Sequence, residues 1–206
     1  MRVFLGLVLS LLAFAAPARA TEPPPVILVV GDSLSAGYGL ARGQGWVALM
    51  QQRLKQEGYG YLVVNASVSG ETSDGGAQRL NRALATHRPA IVILELGGND
   101  GLRGLPLPRV RSNLELMIMK SRAAGAQVLL LAVRMPTNYG PKYANSFEGV
   151  YADLVKRYRI GSAALLSDEI ALDLAYFQPD GVHPNAAAQP LLLANVWPQL
   201  LPLLRR

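Results

Sequence analysis

The chain has 206 residues, 50% hydrophobic and 17% charged, which fits one globular domain and excludes an intrinsically disordered protein. It contains no cysteine and only two histidines, which excludes disulfides, zinc–thiolate sites, iron–sulfur clusters, cysteine nucleophiles and multi-histidine metal sites. The formal net charge of +6 does not indicate nucleic-acid binding, because the basic residues are scattered rather than gathered in a run or stripe.

The N-terminus has the three parts of a secretory signal peptide. Arg2 precedes an apolar stretch over residues 3–16, and Ala18-Arg19-Ala20 supplies the small residues of a cleavage site. This apolar stretch is shorter than the roughly 20 residues that a membrane-spanning helix needs. We therefore expect a signal peptide at residues 1–20, a proline-rich lead-in at residues 21–25 and a single domain over residues 26–206.

After the lead-in, short apolar runs alternate with segments of helical periodicity. The runs predict five strands, at residues 26–30, 62–65, 91–96, 128–133 and 163–166. The periodic segments predict helices at residues 45–57, 72–86, 108–124 and 147–158. A last helix is expected to be capped by Asn185 and to run toward Leu201, kinked or shortened at Pro198. This alternation predicts an α/β fold of three layers, with a mainly parallel five-stranded sheet between two helical layers.

Four polar loops follow predicted strands or precede the last helix. They are residues 31–35, 65–72, 97–100 and 180–184. Each loop alone is typical of ordinary turn chemistry. Because the carboxyl ends of parallel strands meet at one edge of a sheet, we expect the four loops to lie together. They would then bring a hydroxyl, an imidazole, a carboxylate and several N–H donors to one site.

Ser33, His183 and Asp180 are the residues that this edge offers for nucleophilic catalysis. A serine hydroxyl needs a base to take its proton, and His183 is the only histidine in these loops. Asp180 comes three residues earlier, and Gly181 lets one tight turn place its carboxylate against the imidazole ring. His87 ends a predicted helix, where a cation favours the helix dipole, and we expect a structural role for it at the surface.

An acyl-transfer site also needs N–H donors for the oxyanion. The candidates are the side-chain amide of Asn99 and the backbone N–H groups of Gly70 and Ser33. Asp32 and Asp100 are expected to hold their loops through hydrogen bonds to nearby backbone. Glu95, in an otherwise apolar strand, is expected to be a buried ion-pair partner or a loop organiser, since no second carboxylate accompanies it for acid–base work.

The four loops resemble, in order, the four sequence blocks of the SGNH, or GDSL, hydrolase superfamily. The blocks are Gly31-Asp32-Ser33-Leu34-Ser35, the Gly70 loop, Gly97-Gly98-Asn99-Asp100 and Asp180-x-x-His183. Further stretches, at residues 64–67, 94–104, 138–140 and 183–185, are similar to the bacterial exported acyl-CoA thioesterase I/lysophospholipase branch, also known as arylesterases. The resemblance extends over essentially the whole mature chain and is weakest over residues 162–177.

The resemblance implies a flavodoxin-like three-layer fold with Ser33 as nucleophile, His183 as base and Asp180 as its partner. It implies an oxyanion hole formed by Ser33, Gly70 and Asn99, and no cofactor or metal. The implied activity is hydrolysis of aryl esters, acyl-CoA thioesters and lysophospholipids through an acyl-enzyme. The implied partner is thus a small-molecule acyl ester or thioester, with no nucleic acid and no stable membrane insertion after signal cleavage.

Apolar residues in the loops after the third and fourth strands are candidates to line a groove for an acyl chain. Leu102, Leu105 and Tyr139 are the candidate substrate-binding residues, and the other candidates to line the groove are Pro106, Leu107, Met135 and Pro136. Three alternatives stay open. They are a carbohydrate O-acetyl esterase of the same superfamily with a more polar cleft, a non-catalytic flavodoxin-like binding module, and a flavin- or nucleotide-binding protein of similar topology.

Overall fold

The computed structural model describes residues 23–135 and 139–205, and its strands and helices alternate along the chain. The strands are β1 (Val26–Gly31), β2 (Leu62–Asn65), β3 (Ile91–Glu95), β4 (Gln127–Ala132) and β5 (Gly161–Ala164). The helices are α1 (Ser33–Ala36), α2 (Trp46–Gln56), α3 (Ser73–His87), α4 (Gly98–Leu102), α5 (Leu107–Ala123), α6 (Pro141–Tyr158), α7 (Asp168–Ala171) and α8 (Gln189–Leu200). The expected signal peptide, Pro136 and Asn138 lie outside the described residues.

The five strands form one parallel sheet in the order β2-β1-β3-β4-β5. Alternate residues of each strand point to opposite faces, so Leu28 and Val30 belong to one core and Ile27 and Val29 to the other. Helices α3, α5 and α6 cover the first face, and α2 and α8 cover the second. The predicted three-layer α/β fold is therefore confirmed. Each fully buried aliphatic side chain contributes about 1.5–3 kcal/mol to the stability of this arrangement.

Several element boundaries differ from the sequence prediction. Helix α6 begins at Pro141, six residues before the predicted start, because proline is suited to the first turn of a helix. Strand β5 lies two residues earlier than predicted. It is a partly buried edge strand of small residues, whose weak hydrophobic pattern does not mark its ends. Helices α1 and α4 occupy segments that the sequence analysis placed in loops, since helices of four or five residues are too short to show a period.

The last helix also starts later than expected. Asn185 does cap a turn, since its Oδ1 accepts the N–H groups of Ala187 at 3.0 Å and Ala188 at 3.3 Å. The helix itself begins only at Gln189, continues through Pro198 and passes into a 3-10 turn at Leu201–Leu203. Over the two described ranges, no helix combines the length and the apolar character that crossing a bilayer requires.

The sheet topology positions the polar loops. From β1 the chain moves to β2 on one side, whereas β3 pairs with β1 on the other side. Such a reversal of strand order opens a crevice beyond the carboxyl ends of the two central strands, which is the usual ligand site of this architecture. Ser33 follows β1 at this edge, and Asn99 lies in α4 just after β3.

Candidate active site

Ser33 is the first residue of the one-turn helix α1, directly after the central strand β1. The Asp32 side chain caps this helix by accepting the Leu34 N–H at 3.0 Å. Gly37 ends it with a left-handed backbone, φ 76°, and donates its N–H to the Ser33 carbonyl. A rigid strand and a capped turn therefore fix the position of the Ser33 hydroxyl, which remains partly accessible.

The structure brings Ser33, His183 and Asp180 into one hydrogen-bonded series. His183 Nε2 lies 3.0 Å from Ser33 Oγ, although the two residues are 150 positions apart in the chain. On the other side of the ring, His183 Nδ1 lies 2.7 Å from Asp180 Oδ2. This is the geometry in which a carboxylate fixes the histidine tautomer and a histidine takes a proton from serine.

The loop that carries His183 is held by its own hydrogen bonds. Asp180 Oδ1 accepts the backbone N–H groups of Val182 at 2.9 Å and His183 at 3.0 Å. These two bonds, together with the His183 side chain, lower the pKa of Asp180 to about 2, so the residue is a carboxylate at neutral pH. Gln178 donates its N–H to the His183 carbonyl at 2.8 Å, and the Tyr38 ring lies 4.5 Å from the imidazole.

Three N–H donors lie in the loops around Ser33. Among the described residues, no acceptor takes the backbone N–H groups of Ser33 and Gly70. The Gly70 loop is tied to the end of β1 by the hydrogen bond from Val68 N to the Gly31 carbonyl, at 3.0 Å. Asn99 Nδ2 donates one N–H to Asp32 Oδ2 at 3.0 Å and keeps a second. The site thus holds unused donors of the kind that bind a developing oxyanion.

Behind these donors lies a pair of buried carboxyl groups. Glu95 is fully buried at the end of β3, and its Oε2 accepts the Asp32 backbone N–H at 3.3 Å, so the Asp32 and Glu95 side chains are neighbours. Burial, and then the charge of Asp32, raise the pKa of Glu95 well above its ordinary value, and burial also raises the pKa of Asp32. The expectation that no second carboxylate accompanies Glu95 is therefore wrong. Over the described part of the chain the hydrogen-bond partners of Glu95 are the Ser35 hydroxyl and the Asp32 N–H, and no cation pairs with it.

Two other aspartates act outside this centre. Asp100 accepts the Ser73 N–H at 2.8 Å and its hydroxyl at 2.6 Å. It therefore ties α4 to the start of α3, 27 residues away, and not to nearby backbone as expected. Asp74 lies at the surface, where it pairs with Arg109 at 2.8 Å.

An apolar cavity of about 410 Å³ lies between the starts of helices α5 and α6. Tyr139, Tyr143 and Leu107 are among its lining residues. The Tyr139 hydroxyl donates to the Leu102 carbonyl at 3.3 Å, and Leu102 itself is 46% exposed. Of the residues expected to line the groove, Leu107 and Tyr139 line this cavity, while Leu105 is half-buried outside it. Met135 is buried in the core and is not among the residues that line this cavity.

Comparison with known proteins gives a consistent picture. Residues 29–190 match the model of the GDSL-like Lipase/Acylhydrolase family. The Esterase TesA of Pseudomonas aeruginosa is 51% identical over 178 residues, which are 86% of this chain and 89% of that protein. The Thioesterase 1/protease 1/lysophospholipase L1 of Escherichia coli K12 is 39% identical over 197 residues, 96% of this chain and 91% of that protein.

A solved structure supports the same relationship. The psychrotrophic esterase EstA from Pseudoalteromonas, in a crystal structure inhibited by monoethylphosphonate, superposes with a TM-score of 0.82 at 37% identity. The similarity covers 86% of this chain and 97% of that one. At this identity and coverage, the likeness extends over the fold and the sequence together.

Proposed function

Since this chain belongs to the GDSL-like lipase/acylhydrolase family and is an ester and thioester hydrolase, we propose that it acts through an acyl-enzyme on Ser33. The proposed substrates are aryl esters, acyl-CoA thioesters and lysophospholipids. The observation that carries the proposal is the 3.0 Å contact between Ser33 Oγ and His183 Nε2, with Asp180 behind the ring.

The first half-reaction transfers the acyl group to the enzyme. His183 Nε2 takes the proton of Ser33 Oγ as the oxygen attacks the carbonyl carbon of the substrate. The Asp180 carboxylate stabilises the imidazolium that forms and keeps the ring oriented. His183 then gives the proton to the departing alkoxide or thiolate, which leaves the acyl group bonded to Ser33.

The second half-reaction hydrolyses the acyl-enzyme and releases the carboxylic acid product, again with His183 as base and then as acid. His183 removes a proton from a water molecule, the water oxygen attacks the acyl-enzyme, and the proton passes to Ser33 Oγ as its bond to the acyl group breaks. In both steps the oxyanion accepts hydrogen bonds from the N–H groups of Ser33, Gly70 and Asn99. Each such donor contributes about 2.7–4 kcal/mol of transition-state stabilisation.

A hydrolysis panel with the purified mature protein tests this proposal. Acyl-CoA, lysophosphatidylcholine and nitrophenyl esters are the substrates, and a fluorophosphonate probe reports on the nucleophile. We expect Ser33→Ala to lose the label and at least about 10³-fold in kcat, as removal of a triad nucleophile does. Ser112→Ala, at an exposed serine of α5 outside the apolar cavity, is the matched control and keeps both. An active Ser33→Ala variant, or a label on another residue, contradicts the proposal.

We further propose that the protein is exported to the periplasm or secreted. The supporting observation is the order of a basic residue, an apolar stretch and a small-residue cleavage site over residues 1–20. N-terminal sequencing of the protein recovered from the exporting cell is expected to begin at Thr21. A chain that keeps its first twenty residues contradicts export by signal cleavage.

A further inference from the structure

The two carboxyl groups behind the site differ in how their oxygens are used. Both oxygens of Asp32 already accept N–H donors, because Oδ1 takes the Leu34 N–H and Oδ2 takes the Asn99 side-chain N–H, each at 3.0 Å. A carboxylate with both oxygens engaged in this way is bound as an acceptor. Asp32 is therefore suited to carry a negative charge.

Glu95 has the opposite arrangement. Its Oε2 accepts both available donors, the Ser35 hydroxyl at 2.7 Å and the Asp32 backbone N–H at 3.3 Å. Its Oε1 is buried, and no N–H or O–H donor in the described part of the chain reaches it. The bond from the Asp32 N–H to Glu95 Oε2 keeps the two side chains close together. Two ionised carboxylates this close, without a cation, would repel each other in a buried site, and one shared proton removes that repulsion. Glu95 Oε1 is the oxygen left free to carry this proton.

We propose that Glu95 is a neutral carboxylic acid that donates its proton to the Asp32 carboxylate, and that this pair positions the Asn99 amide at the oxyanion hole. The proposal rests on the proposed function of Ser33 and Asn99. Glu95 ends β3 and Asp32 follows β1, so the pair joins the two central strands at the point where Ser33 and Asn99 emerge. Both acids are positioning residues, since they act through Asn99 without touching the substrate.

The location of the proton decides which way the Asn99 amide faces. A carboxylate at Asp32 accepts one N–H of Asn99 Nδ2, and the second N–H stays available for the oxyanion. A protonated Asp32 would instead donate to the Asn99 carbonyl oxygen and turn the amino group away from that position. The neutral acid at Glu95 therefore keeps the charge on Asp32, where it selects the productive amide orientation.

The comparison of Glu95→Gln with Glu95→Ala tests the proposal. Glutamine keeps a neutral donor toward Asp32 and an oxygen for Ser35, whereas alanine removes both groups. We expect Glu95→Ala to lower kcat at least about tenfold with little change in KM, because misplacing a catalytic group affects the chemical step. Glu95→Gln is expected to restore most of that loss. Glu57→Gln, at an exposed glutamate of the same chain, is the control for the substitution itself.

Infrared difference spectroscopy gives a readout that does not depend on activity. The wild type is expected to show a protonated-carboxyl C=O band that Glu95→Gln lacks and Glu57→Gln keeps. A missing band overturns the proposal, as does Glu95→Ala with the wild-type kcat. A Glu95→Gln variant that melts at the wild-type temperature but loses as much kcat as Glu95→Ala also overturns it.

The measurements remain decisive if Glu95→Ala does not fold. In that case the proposal requires a folded Glu95→Gln protein to keep kcat within about threefold of the wild type. This limit is well below the loss in kcat expected when the Asn99 amide is misplaced. A larger loss contradicts the neutral-acid role. Failure of the proposed function looks different, because the wild type itself would then show no hydrolysis and no label on Ser33, while the infrared band would still report on Glu95.

Discussion

The Asp180 carboxylate contacts both the backbone N–H and the side chain of His183. Asp180 Oδ1 accepts the His183 backbone N–H at 3.0 Å, and Asp180 Oδ2 lies 2.7 Å from His183 Nδ1. One carboxylate therefore fixes both the turn that carries the histidine and the orientation of its ring. The backbone bonds of this turn form within four residues, so the arrangement is local and is encoded by the spacing of Asp180 and His183.

The first prediction concerns this carboxylate. Asp180→Asn retains an oxygen for the backbone N–H groups but presents an amide to Nδ1, which favours the wrong histidine tautomer. We expect kcat to fall by about 10²–10⁴ with little change in KM, as for the aspartate of other serine triads. Asp173→Asn is the matched control, because Asp173 caps a turn of the same loop by accepting the Ala175 N–H at 2.9 Å. Equal kcat losses in the two variants would assign Asp180 a purely structural role.

The second prediction concerns stability at low pH. The pKa of Asp180 falls from 3.8 to about 2 on folding, chiefly because its carboxylate accepts the His183 and Val182 N–H groups. A group whose pKa is lower in the folded state stabilises the fold above its unfolded pKa, and this contribution disappears as pH falls through the folded value. We therefore expect the melting temperature of the wild type to exceed that of Asp180→Asn at pH 6.

This difference in melting temperature is expected to shrink as the pH falls from about 4 toward 2. Asp74, whose pKa is lowered by its hydrogen bond to Arg109, is present in both proteins and cancels in the comparison. Melting curves recorded from pH 7 to pH 2 make the measurement. A difference that stays constant over this range contradicts a folded-state carboxylate at Asp180.

The third prediction concerns Asn99. Asn99→Ala removes an oxyanion donor and also frees Asp32 Oδ2 from its partner. We expect kcat to fall by about 10²–10³ while the protein still folds, since the lost donor acts mainly on the transition state. Asn195→Ala serves as the control, because Asn195 also donates from its side chain, to the Leu165 carbonyl at 3.1 Å, but lies in α8. An Asn99→Ala enzyme with the wild-type rate would remove Asn99 from the oxyanion hole.

The fold was largely predictable because the central strands are buried on both faces. Strands β1 and β3 therefore read as continuous apolar runs, and the polar loops after them stand out. The convergence of Ser33, Asp180 and His183 was predictable because two of the three are neighbours in one turn and the third follows β1. Strand β5 was harder to place, since its four residues are small and lie at the sheet edge.

The buried pair of Asp32 and Glu95 could not be found from sequence patterns. The two residues are 63 positions apart, and they meet only because β1 and β3 pair in a register that aligns Gly31 with Glu95. The presence of Glu95 in an apolar strand indicated an unusual role, but it did not indicate that Asp32 would be its neighbour. Long-range contacts between single side chains depend on sheet register, which local propensity does not specify.

The fourth prediction concerns Gly97, the N-cap residue just before α4, whose φ is 116°. A methyl group at this position would overlap the hydroxyl of the buried Tyr151, which donates to the Leu96 carbonyl at 2.8 Å. We expect Gly97→Ala to lower the free energy of unfolding by about 2–4 kcal/mol, from backbone strain and overpacking together. Urea unfolding curves provide the measurement.

Gly104→Ala separates these two causes. Gly104 also has a left-handed backbone, φ 63°, but an added methyl group there meets nothing within 4 Å. Gly104→Ala is thus expected to lower the free energy of unfolding by only about 1–2 kcal/mol, from backbone strain alone. If both alanine variants lose the same stability, the Tyr151 hydroxyl does not limit the space at Gly97.

The fifth prediction concerns chain-length preference and separates a long-chain esterase or thioesterase from a carbohydrate O-acetyl esterase. Leu102 is 46% exposed three residues after Asn99, and its carbonyl accepts the Tyr139 hydroxyl beside the apolar cavity. An acyl chain that packs on Leu102 gains about 0.8 kcal/mol for each methylene group it buries. We therefore expect kcat/KM to rise from nitrophenyl acetate to the octanoate ester.

Leu102→Ser tests whether this gain depends on the side chain. We expect about a fivefold loss in kcat/KM with octanoate, equivalent to about 1 kcal/mol, and little change with acetate, whose methyl group does not reach Leu102. Leu116→Ser, at a similarly exposed leucine of α5, is expected to change neither rate. Equal losses on both esters would make Leu102 a structural residue of α4.

A wild-type preference for acetylated sugars over all longer esters would instead favour the O-acetyl esterase, because an apolar surface discriminates by buried methylene groups and not by sugar hydroxyls.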